Sequence, residues 1–314
     1  MGIIETRGLT KKYGRITALS EMDLTVEEGA IFGFVGPNGA GKTTTMRILA
    51  TVLRPTAGEA WVAGHSVLTQ RREVRRVIGY MPDFFGVYGD MKVWEYLDFF
   101  AACYEIPAGT RRHLTDELLE LVDLSHRRDD YVDTLSRGMK QRLCLARALA
   151  HDPLVLILDE PASGLDPRAR IEIRALLREL RAMGKTIFVS SHILADIEEI
   201  CTHIGIIEAG QLVAAGTLAE MRQRIYTQHI VRVKLTSLVE EAQAWLAGHP
   251  AVLQVEQLTD NDGNMLRATV AGDEESLVRL LRELIGAGFP VLAFYEETGK
   301  LEDLFIRLTK GIVS

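Results

Sequence analysis

The sequence predicts an α/β protein in which helices cover both faces of a mainly parallel sheet, followed by a smaller α+β unit. Three observations carry this. The apolar runs Ala30–Val35, Leu154–Leu158 and Thr186–Ser190 have the length and continuity of strands buried on both faces. They alternate with stretches of helical spacing, as parallel strands joined by crossover helices require. After about residue 224 the pattern restarts as strand, helix, strand, strand, helix, strand, the order of a ferredoxin-like fold.

Taken in order, Ile3–Leu9 and the alternating Ala18–Val26 read as strands, and Ala30–Val35 as a buried one. A glycine-rich turn and a helix over Thr43–Leu53 come next. Residues 90–150 are expected to be mostly helical, with Leu114, Leu118, Leu121 and Val122 at helical spacing. Arg71–Arg76 reads as a solvated helix face. Ile204–Val213 is expected to be a hairpin turning at Ala209-Gly210. In the tail, Ile230–Leu235, Leu253–Leu258, Met265–Val270 and Val291–Tyr295 are the strands, with a turn at Asp260–Gly263. Val239–Leu246, Ser276–Ile285 and an amphipathic Leu301–Leu308 are the helices.

The chain has 314 residues, 47% hydrophobic and 25% charged, enough for two domains with separate cores, expected at 1–224 and 225–314. Its net charge is -7, and neither part is basic, which argues against a nucleic-acid partner. The three cysteines, Cys103, Cys144 and Cys201, lack zinc or CxxC spacing and suit a reducing compartment. The longest stretch without a charge, Ala242–Val255, is 14 residues, short of the roughly 20 that a membrane-spanning helix needs.

Two motifs carry chemistry. Gly36-Pro37-Asn38-Gly39-Ala40-Gly41-Lys42-Thr43 fits GxxxxGK[ST] between a buried strand and a helix. Its glycines let successive backbone N–H groups turn toward phosphate oxygens, and the helix start adds positive potential. Lys42 can reach the outer phosphates and the Thr43 hydroxyl can ligate Mg²⁺. The second motif is Asp159-Glu160 at the tip of Leu154–Leu158, the edge of a parallel sheet where ligands bind. Asp159 is placed to hold Mg²⁺ through water, and Glu160 to act as general base on an attacking water.

With these two motifs the sequence resembles the ATP-binding subunit of an ABC transporter over about residues 3–220. The resemblance implies a P-loop NTPase fold, with a RecA-like core sheet, an antiparallel β subdomain and a helical subdomain at about 84–150. It implies ATP and Mg²⁺ as the only cofactors, with Thr44 beside Thr43 among the nucleotide contacts. Leu135-Ser136-Arg137-Gly138-Met139 stands where the family has LSGGQ. By resemblance, Ser136 and Gly138 would reach the γ-phosphate held by a second copy, and Arg137 and Met139 are departures. Tyr13 matches the aromatic that stacks on adenine. Ser163-Gly164-Leu165-Asp166 matches the D-loop at the dimer interface, and His192 the switch histidine. Asp83 stands where the family usually carries Gln and sometimes Glu, which puts its direct Mg²⁺ or water contact in question.

The aromatic stretch from Phe84 to Tyr88, with Trp94, Tyr96, Phe99 and Phe100, suits either the helical subdomain's core or a groove for a permease. The tail, including Leu301–Thr309, resembles the C-terminal domain of ATPase subunits from drug- and antibiotic-exporter-like systems. The reading this implies is an ATP-hydrolysing subunit of an exporter. Two copies sandwich ATP and drive a separate transmembrane permease from the cytoplasmic face of the membrane. A soluble ABC-type ATPase of translation or DNA repair is the alternative. Such proteins usually carry two cassettes, coiled coils, zinc modules or basic arms, and this chain shows one cassette and a negative charge.

Overall fold

The computed structural model describes residues 2–84, 86, 88–225, 228–258 and 264–296, and the statements below concern these. They form two compact units, one reaching Leu218 and one starting at Ala219. The expected turn Asp260–Gly263 and the last helix Leu301–Leu308 lie outside the described residues.

In the first unit, β1 (Ile4–Tyr13), β2 (Ile16–Val26), β4 (Ala57–Val62) and β5 (His65–Ser66) form an antiparallel sheet in the order β2-β1-β4-β5. A six-stranded sheet holds β3 (Ile31–Val35), β6 (Ile78–Met81), β7 (Val155–Leu158), β8 (Thr186–Ser191), β9 (His203–Glu208) and β10 (Gln211–Thr217). Its order is β10-β9-β3-β8-β7-β6, parallel except at the β9–β10 hairpin. Every residue of β3, β7 and β8 is buried, as their unbroken apolar runs require. Phe32 and Phe34 lie 5.6 and 5.3 Å, centroid to centroid, from Phe188 across the β3–β8 pairing. That aromatic contact stiffens the sheet just below its carboxyl edge.

The helices of this unit are α1 (Lys42–Leu49), α2 (Arg71–Val77), α3 (Val93–Cys103), α4 (Ala108–Leu121), α5 (Arg137–Leu149), α6 (Pro167–Ala182) and α7 (Leu194–Ile200), whereas α8 (Leu218–Ile225) falls almost wholly in the second. The sequence predicts α1 running to Leu53, but it stops at Leu49. Thr51 adopts a left-handed φ of 61°, and the N–H groups of Val52 and Leu53 both turn back to the Arg47 carbonyl at 2.9 and 3.0 Å. The chain end of the helix is thereby closed. Helix α6 begins where Asp166 caps it and Pro167 takes the first position, and it buries Ile173, Leu176, Leu177 and Leu180 at helical spacing. The β9–β10 hairpin turns at Ala209 and Gly210, as expected, with φ values of 46° and 78° suited to a two-residue loop. On α2 only Val74 is buried, so its arginines face outward or along the surface.

In the second unit, β11 (Gln228–Leu235), α9 (Val239–Ala247), β12 (Val252–Leu258), β13 (Met265–Ala271), α10 (Glu274–Gly286) and β14 (Val291–Glu296) follow the expected order. The strands pair antiparallel as β12-β13-β11-β14, so β14 returns to lie beside β11. Val231, Val233, Leu266, Ala268 and Val270 alternate along the central strands and bury against Ala242, Leu246, Leu277, Leu280 and Leu284. Asp273 caps α10, accepting from the Ser276 N–H at 3.1 Å.

Candidate functional site

Three loops leave the carboxyl edge of the six-stranded sheet side by side: residues 36–41 after β3, Asp159-Glu160 after β7, and His192 after β8. The first is shaped by glycines that admit no substitute. A Cβ on Gly36 would lie 2.2 Å from the Ile207 carbonyl oxygen. Gly41 has φ of 109°, and its Cβ would lie 2.6 Å from the Ala18 carbonyl oxygen. Gly41 caps α1 without a side chain, which leaves that helix start open to an anion.

Lys42 folds back into the loop, its Nζ donating to the carbonyls of Gly36 at 2.7 Å and Pro37 at 3.1 Å. It is 7% exposed and 3.9 Å from Glu160 Oε1. Burial pushes its pKa below the ordinary lysine range, and the charges of Glu160 and Asp159 pull it back.

The two carboxylates differ in setting. Asp159 is buried, and its Oδ1 accepts from the Ser190 hydroxyl at 2.7 Å. The same hydroxyl accepts from the Glu160 N–H at 2.9 Å. Burial raises the Asp159 pKa, while the hydroxyls of Ser190 and Thr43 favour the anion. Asp159 Oδ2 is buried without a hydrogen-bond partner among the described residues. An orphaned buried oxygen beside Thr43 fits a magnesium ion shared with phosphates, the way that ion is usually held. Among the described residues no group of three His, Cys, Asp or Glu side chains could hold a metal alone. Glu160 sits at a left-handed φ of 52°, and its Oε2 lies 2.8 Å from His192 Nδ1.

A cleft of about 330 Å³ brings Asn38, Gly39 and Gly41–Thr44 together with Asp83, Glu160, Ser163 and His192. Glu160 thus stands between Lys42, at 3.9 Å, and His192, at 2.8 Å. Pro37 and Ala40 belong to the same loop but not to the cleft's lining. Tyr13 is exposed at the end of β1, outside that lining, with Lys11 Nζ over its ring at 5.0 Å. Ser136, Gly138 and Asp166 also stand outside it. Ser136 caps α5, accepting from the Met139 N–H at 3.3 Å, and Asp166 caps α6, accepting from the Ala169 N–H at 3.0 Å. The Arg137 guanidinium lies against Gly164, where an added Cβ would be 2.5 Å from it.

Ser190 is the residue that sequence reasoning passes over. A hydroxyl at the end of an apolar strand is a weak signal, and its two partners come from a neighbouring strand 31 and 30 positions away. Removing it strands a half-buried N–H and a buried carboxylate oxygen, so Ser190→Ala is expected to cost about 1–3 kcal/mol of stability. Chemical denaturation reads this as a lower midpoint; an unchanged midpoint would remove the bridging role.

A protein-family model described as ABC transporter matches residues 19–163. A second, described as ATP-binding protein DrrA1-3-like, C-terminal domain, matches residues 216–309. The bacitracin transport ATP-binding protein BcrA of Bacillus licheniformis is 35% identical across 98% of this chain and 98% of its own length. This chain belongs to the ATP-binding subunits of ABC transporters. Among such subunits, the daunorubicin resistance ATP-binding protein DrrA3 of Streptomyces coeruleorubidus is 34% identical across 98% of this chain and 95% of its own. A solved ATP-binding subunit of an ABC transporter aligns with a TM-score of 0.65 at 29% identity, covering 71% of this chain and 93% of that one. A dimeric ATP-binding cassette in a post-hydrolysis state with ADP and Pi aligns with a TM-score of 0.63 at 26% identity, covering 68% of this chain and 98% of that one. The subunit is therefore a nucleotide-binding, ATP-hydrolysing cassette of the P-loop type. Of the two readings the sequence allows, the transporter subunit is the one these relatives support.

Proposed function

We propose that this subunit hydrolyses ATP in the cleft at the carboxyl edge of its six-stranded sheet and drives an exporter by doing so. The observation that carries the reading is the meeting of Lys42, Glu160 and His192, at 3.9 and 2.8 Å, above a buried Asp159. The loop from Gly36 to Thr44 cradles the phosphates with its N–H groups, and Lys42 leaves its loop carbonyls for the outer phosphate oxygens. Thr43 and Asp159 would hold Mg²⁺, which would neutralise charge on the β- and γ-phosphates. Glu160 takes a proton from the attacking water, and His192 orients Glu160 and shares its charge. Tyr13 is assigned to the adenine. Ser136, Gly138 and Asp166, which stand outside this cleft, are assigned to the cleft of a second copy.

The names of the relatives, among them a Nod factor export ATP-binding protein of Ralstonia nicotianae at 34% identity, support export as the direction. Among the described residues no helix is long and apolar enough to cross a membrane. The partner proposed for this work is a separate permease at the cytoplasmic face, in keeping with the relatives named as ATP-binding proteins of transport systems. The exposed Phe84, next in sequence to the cleft's Asp83, and the exposed pair Tyr88 and Phe99, edge to face at 5.8 Å, suit that contact. The test is phosphate release by the purified full chain with and without Mg²⁺, together with capture from detergent-solubilised membranes. Hydrolysis that is indifferent to Mg²⁺ overturns the site; capture without a multi-helix membrane protein overturns the coupling.

Asp83 carries a prediction of its own. It lines the cleft from the loop after β6, with a carboxylate one methylene shorter than the family's usual glutamine. Asp83→Gln is expected to raise permease-stimulated turnover over the basal rate by roughly threefold. Basal and stimulated rates both equal to the parent's would show that Asp83 does not link the nucleotide to the permease.

A further inference from the structure

Helix α6 leaves the turn Ser163–Asp166, and α7 starts two residues after His192. The two helices are joined by charge. Arg174 Nη1 lies 3.0 Å from Asp196 Oδ1 and 2.7 Å from Glu199 Oε2. One turn further along α6, Arg178 Nη2 donates to the Glu199 carbonyl at 3.0 Å and to its Oε1 at 3.2 Å. The inner pair is deep, with side chains of Arg174 and Asp196 only 14% and 8% exposed.

Stability alone is a poor account of this pair. A buried ion pair seldom outperforms apolar side chains of the same volume. Arg174 Nε and Asp196 Oδ2 are, in addition, buried with no hydrogen-bond partner among the described residues. Apolar alternatives are at hand, since Ile173, Leu177, Ile197 and Ile200 line the same small cavity. What the pair adds is direction, because a guanidinium held by two carboxylates fixes angle as well as distance.

Its location says what is being directed. Helix α7 has seven residues and no side-chain cap, with Ile193 at its start, so little within it fixes its position. His192 immediately precedes that start and meets Glu160 Oε2 at 2.8 Å. Ser190, which bridges Asp159 and Glu160, lines the cavity on which Arg174 and Asp196 also border. The ion pair thus shares a small cavity with the serine that holds both carboxylates.

We propose that the Arg174–Asp196 pair is a positioning device for His192: it locks α7 onto α6 so that the imidazole is aimed at Glu160. This rests on the assignment of Glu160 and His192 to hydrolysis given above. Arg174 and Asp196 touch no reacting atom and act through the histidine.

The test is a double-mutant cycle on the full chain, with Arg174→Met, His192→Ala and the combined variant, each measured for kcat, ATP KM and thermal midpoint. Arg174→Met is expected to lower kcat roughly tenfold with KM little changed, because misplaced catalytic groups slow chemistry more than binding. Arg174→Lys, which keeps the charge, is expected to recover part of the loss. In the His192→Ala background, Arg174→Met is expected to cause no further loss. Losses that multiply instead overturn the proposal, as does a kcat that falls only in step with the folded fraction. If Arg174→Met does not fold, Asp196→Asn enters the same cycle with the same outcomes. His192→Ala with parental kcat overturns the assignment of the histidine itself, a result distinct from multiplying losses.

Discussion

Glu160→Gln is expected to lower ATP turnover by roughly 10²–10⁴-fold, the usual contribution of a general base, while ATP binding survives. Glutamine keeps the shape and can still hydrogen-bond His192, but it cannot accept a proton from water. The glycine loop and the start of α1 are untouched, so the phosphates still find their cradle. Removing the carboxylate also withdraws an anion 3.9 Å from Lys42, which leaves that ammonium freer to serve phosphate oxygens. Binding without hydrolysis should therefore accumulate a closed pair of subunits. Size-exclusion chromatography in MgATP measures the pair, and phosphate release measures turnover. A variant that hydrolyses within twofold of the parent sinks the general-base assignment.

Lys42→Met acts in the same cleft, 3.9 Å from Glu160, and is expected to weaken ATP binding. The side chain of Lys42 is nearly buried and its ammonium donates to two carbonyls of its own loop. A charge-assisted hydrogen bond is worth about 1.5–3 kcal/mol, which predicts a loss of roughly 10- to 150-fold in affinity. Methionine fills the volume without the donors, so the carbonyls of Gly36 and Pro37 also lose their partner. Titration of a fluorescent nucleotide reports the affinity, and circular dichroism reports the fold. Parental affinity in a folded variant would place the outer phosphates away from Lys42.

Much of the first unit is legible in the sequence because its decisive features are local. The loop from Gly36 to Thr43, the strand Leu154–Leu158 and the carboxylates at its tip lie within short windows. So do the hairpin at Ala209-Gly210 and the strand–helix order of the second unit. Less legible is whatever depends on register between distant strands. The double role of Ser190 needs β8 beside β7, and the grip of Arg174 on Asp196 needs two helices 22 positions apart to lie side by side. The stop of α1 at Leu49 was hidden for a different reason. Val52 and Leu53 continue the apolar spacing, and only the left-handed turn at Thr51 breaks it. The strand order β12-β13-β11-β14, by contrast, is the one that the ferredoxin-like reading of the tail implies.

The backbone of Glu160 has a meaning beyond its proton. A φ of 52° is a conformation that glycine or asparagine adopts readily and that a glutamate side chain resists by about 1–2 kcal/mol. A lineage screened only for endurance to heat would drift toward glycine or asparagine here and lose the base proposed above. That a carboxylate occupies the position sets durability against the turnover proposed for it at a single torsion angle.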